Sequence, residues 1–521
     1  MNKRPKKHFL RSLLRRRIIV IFLLLLQLTI LGIFLFNTSR QSAYFNLALT
    51  FASLFVALYV VNNREKGAYK LIWSLQILVF PFFGGLFYLL FHLQGAKKKF
   101  RKAMEDWQDK NQRLFYVSGD MLSEAKSKTP GHAPLMHYLQ KTAGYPLYGK
   151  SRAVYLSTGE EKYEKLLAEL EKAERYIFLE YFIIQEGKMW DAALEILARK
   201  VNQGLDVRVM YDDMGCFLKL PKDYPKRLEA LGIRCTVFGP FIPVLSARQN
   251  NRDHRKIAVI DGRVAFTGGV NFADEYINAV DRFGHWKDTA IMVEGEAAWS
   301  FTLMFLQLWT VCNTHKDSGA QEDYALYDPW KDMPCATVGG GYVQPYADSP
   351  MDEERVGENV YLHIINTAKK YVYINTPYLV IDDVMVSALC LAARSGVDVR
   401  IVTPHRPDKR YVHAVTRSFY RELIRSGVRV YEYTAGFLHA KSFVSDDCIA
   451  TVGTANLDYR SLYLHFECGL CVYQEDGVIA EIREDFLEML PRCEEVTEEN
   501  SRYGFFARFI QDTLRLLSPL L

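Results

Sequence analysis

NRDHRKIAVIDGRVAFTGGVN, residues 251–271, reads as two short strands around a tight turn, and the rest of the chain is organised by it. Within it His254, Lys256 and Asp261 form the pattern H-x-K-x-x-x-x-D, and the second strand ends in a G-x-x-N turn, Gly268 to Asn271. The pattern returns 185 positions later as His439, Lys441 and Asp446 in HAKSFVSD, followed at the same distance by Gly453 to Asn456. With 12 histidines in 521 residues, two copies at matched spacing with matched tails are a specific signal. KIAVID and KSFVSD have strand character, and Asp261-Gly262 is a hairpin-turn signal.

The flanks repeat as well. AERYIFLEYFIIQ (173–185) reads as a buried strand, a helix follows over about 191–201, and Gly204 leads into LDVRVMYDD. AKKYVYINTPYLV (368–380), a helix over about 384–394 and Gly396 before VDVRIVTP repeat that order. GLDVRVM against GVDVRIV is an internal repeat, and strand–helix–strand order predicts βαβ units on a mostly parallel sheet. The expected fold is α/β: two duplicated halves, 145–312 and 342–521, forming one mixed α/β catalytic unit. They are joined by a polar linker over 313–341 and preceded by a membrane anchor (1–95) and a second linker (96–144).

The anchor rests on three nearly uncharged apolar runs, Ile18 to Phe36, Phe45 to Val61 and Leu71 to Leu93, each about the length of a transmembrane helix. The first is long for a signal peptide and lacks a small-x-small cleavage site, so it reads as a retained anchor. Eight Lys/Arg precede Ile18, and Lys97, Lys98, Lys99, Arg101 and Lys102 follow the third run, which places both ends in the cytoplasm. Three full crossings conflict with that, and Pro81, Gly84 and Gly85 would let the third run bend back. The expectation is a multi-pass protein of the cell membrane with a cytoplasmic catalytic part.

The formal charge of +5 resides in the N-terminal tail, and the remainder is near −3. A nucleic-acid enzyme more often has a broadly basic body, so nucleic acid is not an expected partner. Cationic tails beside membrane runs suit anionic lipid. The nine cysteines show no pairing pattern, and Cys468 and Cys471 form a lone C-x-x-C within a strand, read as structural.

Histidine and lysine two apart on a strand share a face. Two half-sites face to face would put two His and two Lys around one anion. A neutral His attacks phosphorus while a protonated one supplies the leaving alcohol's proton, which a pKa near about 6.5 permits. Lys256 and Lys441 would offset phosphoryl charge, so no metal or other cofactor is expected. The turns, through Gly269, Asn271, Thr454 and Asn456, are read as phosphate-binding or supporting, with Thr454 equally a plain turn residue. Asp261 and Asp446 stand in the catalytic set, and their strand-end position fits a structural role equally well. Glu467 in HFEC and Asp288 in HWKD lie where either could bond a histidine Nδ1 and fix its tautomer.

The paired motifs resemble the phospholipase D superfamily. The longer strings NRDHRKIAVIDGRVAFTGGVNFADEY and LHAKSFVSDDCIATVGTANLDYRSLYLHFE, the N-terminal runs and the ending RLLSPLL are similar to bacterial cardiolipin synthases. That resemblance implies that two phosphatidylglycerol molecules become cardiolipin and glycerol through a phosphatidyl-histidine. It implies that His254 is the nucleophile, His439 the acid/base and Glu467 the orienting acid, with Asp288 matching the family pattern less closely.

Three segments carry blander readings. GPFIPVLSA (239–247) reads either as a core loop or as a segment dipping into lipid. Lys409, Arg410, Arg417 and Arg421 read as a solvated helix face. The amphipathic ending FFARFIQDTLRLLSPLL is expected to pack onto the second half.

Overall fold

The computed structural model describes residues 29, 40–63, 65–80, 84–85, 88, 95–115, 121–240, 250–313, 322–331, 335–336, 339–474, 476–501 and 503–520. They fall into two compact units, 1–96 with 241–249, and 97–240 with 250–519. The first apolar run (apart from residue 29) and the segment 241–249 lie outside the described residues.

In the smaller unit, α1 (Arg40–Asn62) and α2 (Gly67–Val79) pack through Ala57, Val60, Ile72, Trp73 and Ile77. Their outer faces leave Phe51, Phe55, Leu58, Leu71 and Leu78 half or more exposed. Among the described residues no helix meets the length and hydropathy needed to cross a membrane. The expected spanning helices are therefore seen only as this apolar helical pair.

The larger unit holds the duplicated halves. The first supplies β1 (Ser151–Leu156), β2 (Tyr176–Tyr181), β3 (Asp206–Asp212), β4 (Arg234–Phe238), β5 (Arg252–Asp253), β6 (Lys256–Ile260), β7 (Val264–Gly268), β8 (His285–Lys287) and β9 (Ala290–Gly295). The second supplies β10 (Tyr342–Asp348), β11 (Tyr371–Asn375), β12 (Leu379–Val380), β13 (Asp398–Pro404), β14 (Arg429–Tyr433), β15 (Gly436–Leu438), β16 (Ser442–Ser445), β17 (Ile449–Gly453), β18 (Leu457–Asp458), β19 (His465–Tyr473) and β20 (Cys493–Val496). The first sheet runs β1-β9-β7-β6-β2-β3-β4 and the second β10-β19-β17-β16-β11-β13-β14-β20. Strand for strand the two orders coincide, with β20 added at one edge, as the internal repeat requires.

The sheets are mixed rather than mostly parallel. Along the two main strand orders β2-β3-β4 and β11-β13-β14 run parallel and the other neighbours antiparallel, the parallel sets passing through crossover helices α3 (Lys188–Asn202) and α4 (Asp383–Arg394) in their first connections. The motif strands are hairpins, and a hairpin is antiparallel by construction. Its turn explains the Asp-Gly pair: Asp261 (φ 53°) and Gly262 (φ 67°) both occupy the left-handed region that such a turn demands.

Strand alternation sorts the core. Tyr176 and Phe178 of β2 and Ile257 and Val259 of β6 face a central core shared with Val444, Val452 and Leu470 of the other half. Ile177, Leu179, Ala258 and Ile260 face an outer core under α3. The helix following β9, Ala298–Asn313, lies in the central layer and is buried around nearly its whole circumference. There Phe305 stacks on Phe178 at 4.7 Å between centroids. Truncating such a residue to alanine costs about 3–5 kcal/mol.

Candidate active site

Each motif is carried to the centre by a short strand that pairs with the other half. β5 pairs with β19, and the His254 amide donates to the Phe466 carbonyl at 3.0 Å. β15 pairs with β8, and the His439 amide donates to the Lys287 carbonyl at 2.7 Å. The two histidines are thereby fixed against strands of the opposite repeat.

The acids cross in the same sense. Nδ1 of His254 lies 2.8 and 3.0 Å from the two carboxylate oxygens of Glu467, on β19 of the second half. Nδ1 of His439 lies 2.6 Å from Oδ2 of Asp288, in the break between β8 and β9 of the first. With Nδ1 held by a carboxylate, Nε2 of each ring is the nitrogen left for chemistry. Glu467 is itself held by Ser461 Oγ (2.7 Å) and by Thr454 Oγ1. Lys256 Nζ donates to the His254 carbonyl (2.5 Å), while Lys441 Nζ lies 2.9 Å from His439 Nδ1 and donates to the His439 carbonyl.

Several expected roles change. The oxygens of Asp261 accept from the backbone amides of Glu174, Arg175 and Tyr176, each at 2.8 Å. Asp446 repeats this with Lys369, Lys370 and Tyr371 at 2.6–2.9 Å. Both carboxylates clamp the turn of the motif hairpin to the start of the neighbouring strand, the structural role that their strand-end position allowed. Within the G-x-x-N turns the Gly269 amide donates to the Thr289 carbonyl and the Thr454 amide to the Cys468 carbonyl, both at 2.9 Å. Asn271 is engaged at both ends, with the Ile183 amide (3.0 Å) and the Tyr276 hydroxyl (2.8 Å). Asn456 donates to Asp458 (2.9 Å), and its Oδ1 is buried without a hydrogen-bond partner.

Gly269 matters for what it lacks. A Cβ there would lie 1.9 Å from Asp288 Oδ1, so only glycine lets that carboxylate reach His439. The turn therefore helps to seat the orienting acid.

Other residues at the centre carried no motif signal. Phe182 meets the His254 ring edge-on at 5.0 Å, and Tyr276 and Trp286 flank His439 at 5.4 and 5.5 Å. These rings pack against both histidines, which are buried. His465, 5.5 Å from the His254 ring, has neither ring nitrogen hydrogen-bonded, and its Nδ1 sits 3.7 Å from Glu467. His254, His465 and Glu467 each bring a donor atom within 4.8 Å of the others, a spacing a metal ion could use. Against that use, the Glu467 oxygens are already bonded to His254, Thr454 and Ser461, and the ammonium groups of Lys256 and Lys441 bias the centre toward anions.

Electrostatics agree with an anion site. Burial pushes His254 well below its ordinary pKa, with Lys256, Lys441 and His439 acting in the same direction. Burial and then Lys441 bring His439 down to about 4 against the opposing pull of Asp288. Burial also lowers Lys256 to about 8 and Lys441 to about 7. Four buried groups that would rather not be charged together are the signature of a site awaiting a counter-anion.

Fold and centre together define a duplicated phospholipase D-like enzyme, with two histidine–lysine half-sites close enough to be electrostatically coupled. The family model "Cardiolipin synthase, PLD-like domain" matches residues 166–300 and 361–490, and "Phospholipase_D-nuclease N-terminal" matches 48–91. A cardiolipin synthase of Geobacillus kaustophilus is 35% identical, aligned over 92% of this chain and 94% of its own. One of Halalkalibacterium halodurans is 34% identical over 96% and 99%. An uncharacterized protein of Streptococcus mutans is 45% identical over 89% and 99%. The chain belongs to the cardiolipin synthase family. In three dimensions it resembles phosphatidylserine synthase of Haemophilus influenzae, with a TM-score of 0.54 and 13% identity over 73% of this chain and 98% of that one, which is a likeness of fold.

Proposed function

We propose that this enzyme transfers a phosphatidyl group from one phosphatidylglycerol to another, giving cardiolipin and glycerol. The observation that carries the chemistry is the reciprocal pair of dyads, His254–Glu467 and His439–Asp288, each built from both halves. The choice of lipid rests on membership of the family.

His254 is the nucleophile. Glu467 holds its Nδ1 through both carboxylate oxygens and is itself fixed by Thr454 and Ser461, which keeps the Nε2 lone pair aimed and stabilises the charge that develops on attack. His254 Nε2 forms a bond to phosphorus as the bond to the glycerol oxygen breaks, and protonated His439 supplies that oxygen's proton. The second phosphatidylglycerol then presents a hydroxyl. His439, now neutral, takes its proton, the oxygen attacks phosphorus, and the P–N bond to His254 breaks. Lys256 and Lys441 face the non-bridging oxygens. In the empty site His439 favours the neutral form, and the arriving phosphodiester supplies the negative charge that restores its proton.

The apolar faces of α1 and α2 support a membrane-embedded N-terminal region, and the cationic segments flanking the apolar runs favour several passes with the catalytic unit in the cytoplasm. The test uses full-length protein in liposomes with head-group-labelled phosphatidylglycerol and EDTA. Cardiolipin and glycerol in equal amounts, abolished by His254→Ala, is the expected result. Phosphatidic acid as main product would make the enzyme a hydrolase, and turnover surviving His254→Ala would overturn the assignment.

A further inference from the structure

The C-terminal helix of the catalytic unit, Phe505–Leu517, is built inside out. Phe505, Phe506, Phe509 and Ile510 are 80, 80, 65 and 57% exposed, and Leu516 and Leu517 are exposed as well. At 3.6 residues per turn these positions share one face. Of the whole helix only Gln511, on the opposite face, is buried. A helix held by the hydrophobic effect against a protein core would be turned the other way. The ending packs onto the second half as expected, Arg515 reaching Glu422 and Phe419, but it does so through its polar side, and its phenylalanines point out.

The polar side lines a groove of about 810 Å³ shared with the helices Asp383–Arg394 and Arg410–Arg425. Six arginines line it, Arg394, Arg417, Arg421, Arg425, Arg508 and Arg515, against two carboxylates, Glu422 and Asp512. Arg417 is committed to Glu432, Arg425 to Glu498 and Arg515 to Glu422. Arg421 has no ion-pair partner among the described residues, and Arg508 reaches Asp512 only at 3.9 Å. A cationic trough beside a row of exposed phenylalanines is complementary to one surface: phosphates at the level of the arginines and acyl chains at the level of the rings. Guanidinium groups suit phosphate oxygens through paired N–H donors.

We propose that this helix lies in the head-group layer of an anionic bilayer, its phenylalanines among the acyl chains and the arginine-lined groove holding lipid phosphates. This is a lipid contact separate from the histidine centre and independent of which reaction that centre performs. It holds the catalytic unit flat against the membrane from which its substrates would come.

The test places the photoreactive amino acid benzoylphenylalanine at Phe506 of the full-length protein. The protein is reconstituted in vesicles of phosphatidylcholine alone or with phosphatidylserine, which is not the proposed substrate. After irradiation, mass spectrometry of the C-terminal peptide is expected to show a lipid adduct, several-fold more abundant with phosphatidylserine. High salt, and Arg421→Ala combined with Arg508→Ala, should each reduce that gain. The same probe at Leu326, also exposed, should give little adduct. Cross-linking to a second copy of the chain would overturn the proposal in favour of self-association, and adduct yields indifferent to phosphatidylserine would overturn the anionic groove. The lipid comparison on the unaltered arginine background decides even if the double variant folds poorly.

Discussion

Glu467 hydrogen-bonds Nδ1 of His254 across the boundary between the repeats, at 2.8 Å, and Asp288 returns the same contact to His439 at 2.6 Å. Each half supplies the other's orienting carboxylate. A substitution in one half should therefore disable the histidine of the other. Glu467→Gln is expected to lower kcat roughly 10²–10⁴-fold and to block accumulation of the phosphorylated His254 intermediate, as measured by trapping with labelled lipid. Normal trapping in this variant would show that Glu467 does not act through His254.

Asp288→Asn should act at the other histidine, and through pH. Asp288 is what holds the His439 pKa up against burial and Lys441. Removing its charge lowers that pKa further, so less of the general acid is protonated at any given pH. The limb of the pH–rate profile at which activity falls with rising pH should move to lower pH, with kcat down roughly 10²-fold or more. A profile unchanged in shape would refute the pairing.

Gly269→Ala is predicted to mimic Asp288→Asn without touching a titratable group, because the new Cβ would occupy the position of Asp288 Oδ1. Activity should fall by a similar factor while the circular dichroism spectrum is retained. Near-normal turnover would mean that the carboxylate has another way to reach His439.

Asp261→Asn and Asp446→Asn should separate stability from chemistry. Each carboxylate accepts three backbone N–H bonds at a hairpin turn. Weakening that clamp should cost about 2 kcal/mol or more, read as a lower denaturation midpoint of the catalytic unit. The activity of the folded fraction should stay within about threefold of wild type, since neither group touches the histidines. A loss of kcat like that of His439→Ala would return both residues to the catalytic set.

Anion binding should take up protons. Burial lowers Lys441 to about 7 and His439 to about 4, so near neutral pH both lean toward their uncharged forms. A phosphate among them stabilises the charged forms and raises both values, so protons are drawn from solution on binding. Titration calorimetry with inorganic phosphate in two buffers of different ionisation enthalpy should show net uptake at pH 7, reduced in Lys441→Gln. Proton release would reverse the sign of the electrostatic argument.

Much of this was legible in the residues. The duplicated H-x-K pattern, the Asp261-Gly262 turn and the βαβ repeats mark local structure, and local structure is written in spacing. The candidate orienting acids could be named by their place downstream of each motif. Which histidine each one serves could not be read from spacing, because that depends on β5 pairing with β19 and β15 with β8, contacts across some 150–210 residues. A second use of the first turn was hidden for a related reason: Gly268-Gly269 advertises an open backbone, and the space at Gly269 also admits the Asp288 side chain. The outward-facing Phe505 and Phe506 were visible as amphipathicity, and periodicity alone does not say which face is turned inward.

The strand exchange that brings Glu467 to His254 and Asp288 to His439 also restricts how this gene can change. After a duplication one copy is ordinarily free to decay or to take up a new task. Here the second copy holds a component of the first copy's working part, and the reverse holds too, so neither can drift without silencing both. Truncation at the linker would leave a fragment with one histidine and the wrong acid, and a lesion in either copy would have its defect expressed in the other. The duplication has become irreversible.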